Sequence, residues 1–267
     1  MESMKKFILM TMIIALITLV LLTGCSAQGK SDRDILFQVS TIGALMKGVY
    51  DGDVAFNDLG KYGDFGIGTL QGLDGELVEL DGEFYQVKLD GTVYPVPGDA
   101  RTPFAVVTYF DDDRTFTLDK AVDLNQLQTY LDSALPTENV FYAIKINGKF
   151  SYMKTRSVPA QSKPYPPLTE AVKNQKVKEF NNIEGTMVGF RCPPYVDGVN
   201  VPGYHFHFLS GDRKMGGHVL DLKVDKVKIE VDDTANFTMV LPDNADFNRA
   251  NLGKGEPEGL KQVEQGK

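Results

Sequence analysis

Gly203-Tyr204-His205-Phe206-His207-Phe208-Leu209, with Gly216-Gly217-His218-Val219-Leu220 shortly after it, is the stretch from which the rest of this sequence is read. Histidine and phenylalanine alternate in the first segment. In a β-strand that puts His205 and His207 on one face and Phe206 and Phe208 on the other. Between the segments, Ser210-Gly211-Asp212-Arg213-Lys214-Met215 is hairpin-loop material, with glycine for positive φ and polar groups for solvent. The predicted turn brings His218 back beside the first pair. The chain of 267 residues has three histidines, and all of them lie here. Three neutral imidazoles converging from a hairpin suit a divalent transition metal, and zinc held by three protein ligands with one open position is usually catalytic. The plainer alternative makes His205 and His207 half-buried sheet residues and His218 a surface one. H-x-H with a third histidine across a hairpin favours the metal. It specifies a metal site on a β-sheet and leaves the reaction open.

Strand signals continue on both sides of the hairpin. Residues 185–191, 218–224, 227–231 and 237–241 read as short strands, which with 204–209 suggest an antiparallel sheet or small barrel. Upstream, Asp51-Gly52, Asp74-Gly75, Asp81-Gly82 and Asp90-Gly91 are turn dipeptides between alternating runs, and they predict a β-meander over 67–96. Residues 104–110 form a further strand. A helix over 41–46 is capped by Ser40 or Thr41, and Asp123 caps another over 124–135. Residues 140–146 and 150–156 read as a hairpin across Asn147-Gly148. The four prolines in 157–167 mark a crossing, and a short helix follows over 168–174. A terminal helix is expected over 243–252. Residues 256–267 lack an apolar pattern and read as a frayed tail. The expected fold class is α+β, and the length suits one large domain or two small ones, with 157–167 as the crossing between two halves.

Residues 1–24 fall outside this fold. Lys5-Lys6 precedes an apolar run over 7–22, and Leu22-Thr23-Gly24-Cys25 closes it. That layout is a secretory signal ending in a bacterial lipoprotein-type cleavage site, with Cys25 lipidated and 25–33 as a tether. An uncleaved membrane helix is the alternative. The reading makes the protein exported and held by lipid on the outer face of the cytoplasmic membrane. Removing Glu2, Lys5 and Lys6 (net +1) takes the formal charge from −8 to −9. So acidic a chain, without a basic patch, is a poor partner for nucleic acid. The remaining length buries a substantial core. Cys192 is the only cysteine left besides Cys25, so no internal disulfide forms.

A three-histidine site leaves room for carboxylates and substrate. Thirty-six acidic residues give composition no power to choose among them. Glu76 and Glu83 both follow Asp-Gly at strand starts, and each reads equally as an exposed turn carboxylate. Arg156 ends a strand and has the planar fork that holds a carboxylate, although its spacing alone suggests a solvated strand end.

The sequence resembles the α-acetolactate decarboxylase family from about Gln38 to the C-terminus. The resemblance is carried by Gln38-Val39-Ser40-Thr41, Gly48-Val49-Tyr50-Asp51-Gly52-Asp53, residues 61–69, Leu73-Asp74-Gly75-Glu76-Leu77, Asp81-Gly82-Glu83-Phe84-Tyr85, Phe141-Tyr142-Ala143-Ile144 and the two histidine segments. It implies a metal, usually zinc, on His205, His207 and His218, with Glu76, Arg156 and Glu264 at the same site. It implies conversion of 2-acetolactate to acetoin and carbon dioxide, assembly as a homodimer, and two subdomains: a mixed or antiparallel β-sheet part over 34–160, and a smaller antiparallel β-barrel-like part over 161–267 that carries the metal hairpin and ends in a tail returning Glu264 to the metal centre. The rivals are a cupin-like three-histidine metal oxygenase and a non-enzymatic metal-binding lipoprotein.

Overall fold

Turns and strands of the N-terminal half fold much as their pattern predicts. At Asp74-Gly75 the glycine has φ 82°, and a Cβ there would stand 2.2 Å from the Val87 carbonyl oxygen. Only glycine fits both demands. The computed structural model describes residues 33–253 and 255–266. In chain order the strands are β1 (Ile35–Val39), β2 (Val54–Ala55), β3 (Phe65–Thr69), β4 (Glu76–Leu80), β5 (Glu83–Val87), β6 (Val93–Pro95), β7 (Arg101–Thr102), β8 (Ala105–Thr108), β9 (Arg114–Leu118), β10 (Val122–Asp123), β11 (Phe141–Ser157), β12 (Lys176–Cys192), β13 (Gly203–Ser210), β14 (Gly216–Thr234) and β15 (Asn236–Val240). The helices are α1 (Ile42–Met46), α2 (Phe56–Leu59), α3 (Leu124–Ala134), α4 (Leu168–Ala171), α5 (Ala245–Arg249) and α6 (Pro257–Gln265). Among the described residues, no helix is long and apolar enough to cross a membrane.

The result is an α+β fold made mostly of sheet. One sheet has seven strands in the order β15-β1-β8-β3-β4-β5-β6, antiparallel except for the β1–β15 pair. A second has six, β10-β14-β11-β12-β13 with β9 beside β14, and β13 pairs additionally with β14, while β2 and β7 form a sheet of two. Ile35–Lys267 forms one compact unit. Its largest apolar cluster lies where the sheets meet and contains Ile67, Val78, Phe104, Ala143, Val188 and Phe190. A second cluster packs the other face of the six-stranded sheet against Leu127 and Leu131 of α3. A third packs the outer face of the seven-stranded sheet against Phe56 and Leu59 of α2. Thr41 caps α1 and Asp123 caps α3 through a full capping box, as the sequence predicts.

Several expectations are corrected. Asn147-Gly148 is not a turn. β11 runs through it, with Asn147 opposite Lys228 and Thr186, and Gly148 opposite Val227 and Gly185. Gly148 is there because a Cβ would meet the Lys226 carbonyl oxygen at 2.4 Å, a close approach rather than a reversal. The strands expected at 218–224 and 227–231 are one strand, β14. The six-stranded sheet draws β9, β10 and β11 from before residue 160, while β15 returns to the seven-stranded sheet. The division between sheets therefore does not fall at 160/161, and the C-terminal sheet is not a small appendage. Composition reads 256–267 as a frayed tail, but among the described residues 257–265 form α6, with Leu260 and Val263 buried. The signal and Cys25 lie outside the described residues, as does the tether except for Arg33.

Candidate metal centre

The hairpin forms as read, and it sets the geometry. His207 pairs with His218 across β13–β14, and His218 pairs with Arg156 across β14–β11. Residues directly opposite in an antiparallel ladder share a face, and His205 joins them two places along β13. A one-residue register shift between Lys154 and Thr155 makes this row possible. Without it Arg156 would stand opposite Val219, which faces the α3 side of the sheet.

The imidazole nitrogens converge, with one ligand atom from each histidine within 4.8 Å of the others. His207 and His218 are buried, and His205 nearly so. His207 Nδ1 lies 2.7 Å from the Leu77 carbonyl oxygen, and His218 Nε2 lies 2.9 Å from that of Glu264. A carbonyl only accepts, so both ring nitrogens donate. That leaves His207 Nε2 and His218 Nδ1 bare, the arrangement in which outer carbonyls fix the tautomer of metal-ligating histidines. His207 Nε2 is buried without a hydrogen-bond partner. His218 Nδ1 lies 3.1 Å from His205 Nε2. Two nitrogens on one tetrahedral zinc, each at about 2.0–2.1 Å, stand roughly 3.3 Å apart. The donor set therefore fits a metal ion. Burial pushes the His205 imidazole down to about 3, and His207 and His218 well below the usual histidine range. All three are neutral at neutral pH, as ligation requires.

Glu76, Arg156 and Glu264 surround this cluster. The Arg156 Nη1 donates to Glu76 Oε1 at 2.8 Å, with both side chains buried. Glu76 Oε2 is 3.6 Å from His207 Nε2. Glu264 Oε2 is 3.5 Å from His205 Nε2 and 3.9 Å from His218 Nε2, and it has no hydrogen-bond partner. Burial raises both carboxyls to about 7, against the downward pull of Arg156. A cavity of about 30 Å³ touches all of these groups except His218, and Leu73, Phe104 and Leu168 help wall it. A larger groove of about 420 Å³ reaches His205, His218 and Glu264 from the side of α6.

The structure thus gathers all six residues singled out in the sequence. It leaves Glu83 exposed. The carbonyls of Leu77, Val263 and Glu264, which hold His207, Arg156 and His218, had no signal in the sequence, because a main-chain acceptor carries no residue type.

Fold and site together define an α+β protein with a buried three-histidine cluster able to hold a metal ion, flanked by two carboxyls and an arginine. A sequence model of the alpha-acetolactate decarboxylase family matches residues 36–254, and the chain belongs to that family. It is 55% identical over 231 residues to an alpha-acetolactate decarboxylase of Methanosarcina mazei, covering 86% of this chain and 80% of the relative. It is 43% identical over 240 residues to that of Bacillus subtilis, covering 89% and 93%. The crystal structure of alpha-acetolactate decarboxylase from Bacillus subtilis strain 168 superposes with a TM-score of 0.84 at 43% identity, over 86% of this chain and 99% of that one.

Proposed function

We propose that this protein decarboxylates 2-acetolactate to acetoin and carbon dioxide, using a divalent metal, zinc in our reading, on His205, His207 and His218. One observation carries the reading: three bare or nearly bare imidazole nitrogens converge beside a buried arginine, a buried carboxyl and a largely buried one, and all of these groups except His218 line one small cavity. A bound divalent ion acts as a Lewis acid toward the negative charge that develops on the substrate oxygens as carbon dioxide leaves.

The protein's own residues do the rest. Arg156 Nε is buried and without a partner. Its N–H, beside the Nη1 already held by Glu76, is free to bind the substrate carboxylate and align the bond to be cleaved. Glu76 fixes the guanidinium plane through the 2.8 Å bond. Glu264 Oε2 is the unpartnered carboxyl oxygen, and with its carboxyl held near 7 it delivers the proton that replaces carbon dioxide. Leu73, Phe104 and Leu168 give the cavity an apolar wall that suits the methyl groups of a small branched acid.

The test is anaerobic incubation of zinc-loaded protein with 2-acetolactate. Acetoin formation at undiminished rate without dioxygen is expected. A requirement for dioxygen would instead favour the cupin-like oxygenase chemistry. We further read the mature protein as a homodimer, exported and anchored by lipid at Cys25 after loss of 1–24. The extra β13–β14 pairing supports a barrel-like description of the six-stranded sheet.

A further inference from the structure

We infer that α6 is a positioning element of the metal centre, and that its docking is thermodynamically coupled to metal binding through the main-chain carbonyls of Val263 and Glu264. The inference rests on the metal reading above and goes beyond it.

The last carbonyls of any helix have no intrahelical donor. In α6 the cap residue Gly266, with φ 62°, closes onto Gln262. The next two carbonyls point into the site. Glu264 accepts from His218 Nε2 at 2.9 Å, and Val263 accepts from Arg156 Nη2 at 3.4 Å. The helix C-terminus carries partial negative charge, which favours both the guanidinium and a cation on the imidazoles.

The two oriented ligands therefore differ in what holds them. His207 is fixed by Leu77 of β4, inside a sheet. His218 is fixed by the end of a nine-residue helix that docks from outside. α6 has modest attachments of its own. Leu260 and Val263 enter the core, Gly259 approaches Met46 and Thr169, and Glu256 makes a surface ion pair with Lys47. Undocking α6 frees His218 to take the other tautomer, with the proton on the nitrogen meant for the metal. By linkage, whatever factor docking adds to metal affinity, metal adds to docking.

The experiment uses the full chain and no substrate. Amide exchange in α6 is followed with and without zinc, and ¹⁵N-histidine spectra are taken without metal. Zinc should slow exchange of the α6 amides in the wild type by at least tenfold. The metal-free spectrum should show His218 protonated on Nε2 and His207 on Nδ1. In Leu260→Asp, which unseats α6, His207 should keep its tautomer and His218 should become mixed. The zinc dissociation constant should rise about 10–100-fold, the range seen for lost outer-shell partners of metal ligands. Glu264→Ala keeps the carbonyl and should keep zinc-linked protection of α6. Exchange in wild-type α6 that ignores zinc would overturn the coupling. Loss of protection in Glu264→Ala would move it to the carboxylate and overturn the carbonyl assignment. Wild-type protein that binds no zinc would remove the metal reading and the coupling together. Absence of decarboxylation with zinc-linked protection intact would count against the proposed reaction alone.

Discussion

Arg156 joins several parts of the site: it donates to Glu76 through Nη1 and to the Val263 carbonyl through Nη2, and its buried Nε has no partner. Lysine at this position keeps the charge and loses the fork. Arg156→Lys should lower kcat/KM by about 1.5–3 kcal/mol, the value of a charge-assisted hydrogen bond, with zinc content by atomic absorption unchanged. Wild-type kinetics in this variant would show that the guanidinium does not hold substrate. Its spacing suggested an exposed strand end, yet only 5% of Arg156 is exposed. The partner that makes burial tolerable is Glu76, eighty positions away, and local periodicity cannot reveal a pairing at that distance. Glu79 makes the opposite point. It is fully buried on the far side of β4, and neither of its carboxyl oxygens has a hydrogen-bond partner. Burial raises it to about 8 from an ordinary 4.5, and Asp64 adds in the same direction. Below about 4.5 folded and unfolded chains both carry the proton. Between 4.5 and 8 the unfolded chain releases it and the folded chain does not, so stability falls as pH rises through that window. Glu79→Met has similar volume and no proton to lose. It should gain on the order of 3 kcal/mol at pH 7, at about 1.4 kcal/mol per tenfold, and little at pH 4.5. Urea midpoints at the two pH values measure this, and equal gains at both would rule out ionisation as the cause.

Among the elements, the β13–β14 hairpin was legible because its signal is local: alternation, a polar loop and a return. His205→Ala, His207→Ala and His218→Ala should each lose most bound zinc and nearly all activity, since two imidazoles leave the ion short of ligands. Their circular dichroism should stay close to wild type, because apolar clusters and not the imidazoles hold the sheet. Unchanged zinc content in all three would remove the metal assignment. The long strands were not legible as such. A residue pair like Asn147-Gly148 has the chemistry of a turn, and only the neighbouring β12 and β14 hold it extended. Gly148→Ala should destabilise the protein by about 2 kcal/mol or more, because the new methyl meets a carbonyl oxygen on a central ladder. Thermal unfolding tests it, and a neutral result would mean that the strand has room to shift. The bulge beside Thr155 left no mark in the sequence either, although it decides that Arg156 faces the histidines. α6 was missed for a related reason: two buried apolar residues, Leu260 and Val263, are too few to make a periodic stripe.

At the scale of the whole molecule, the α+β class and the sheet-rich texture followed from turn spacing, but the partition of strands did not. β15 lies parallel to β1, joining Asn236 to Ile35 across most of the chain, and such a pairing depends on what the rest of the fold leaves open. All six site residues lie between positions 76 and 264, inside the unit Ile35–Lys267. Among the described residues, those before 69 that line the cavity with these side chains are Ile42, Leu45 and Gly68. Lipid at Cys25 should therefore govern where the protein is and leave what it does unchanged. The expected outcome has two parts. Native protein should enter the detergent phase of a phase separation, whereas Cys25→Ser should remain an unprocessed precursor or be shed to the aqueous phase. A chain starting at Ser26 should show kcat/KM equal to that of the anchored form within error. Wild-type protein found in the aqueous phase would sink the lipoprotein reading. A shortened chain that binds zinc normally but turns over slowly would show that the first residues act on the site.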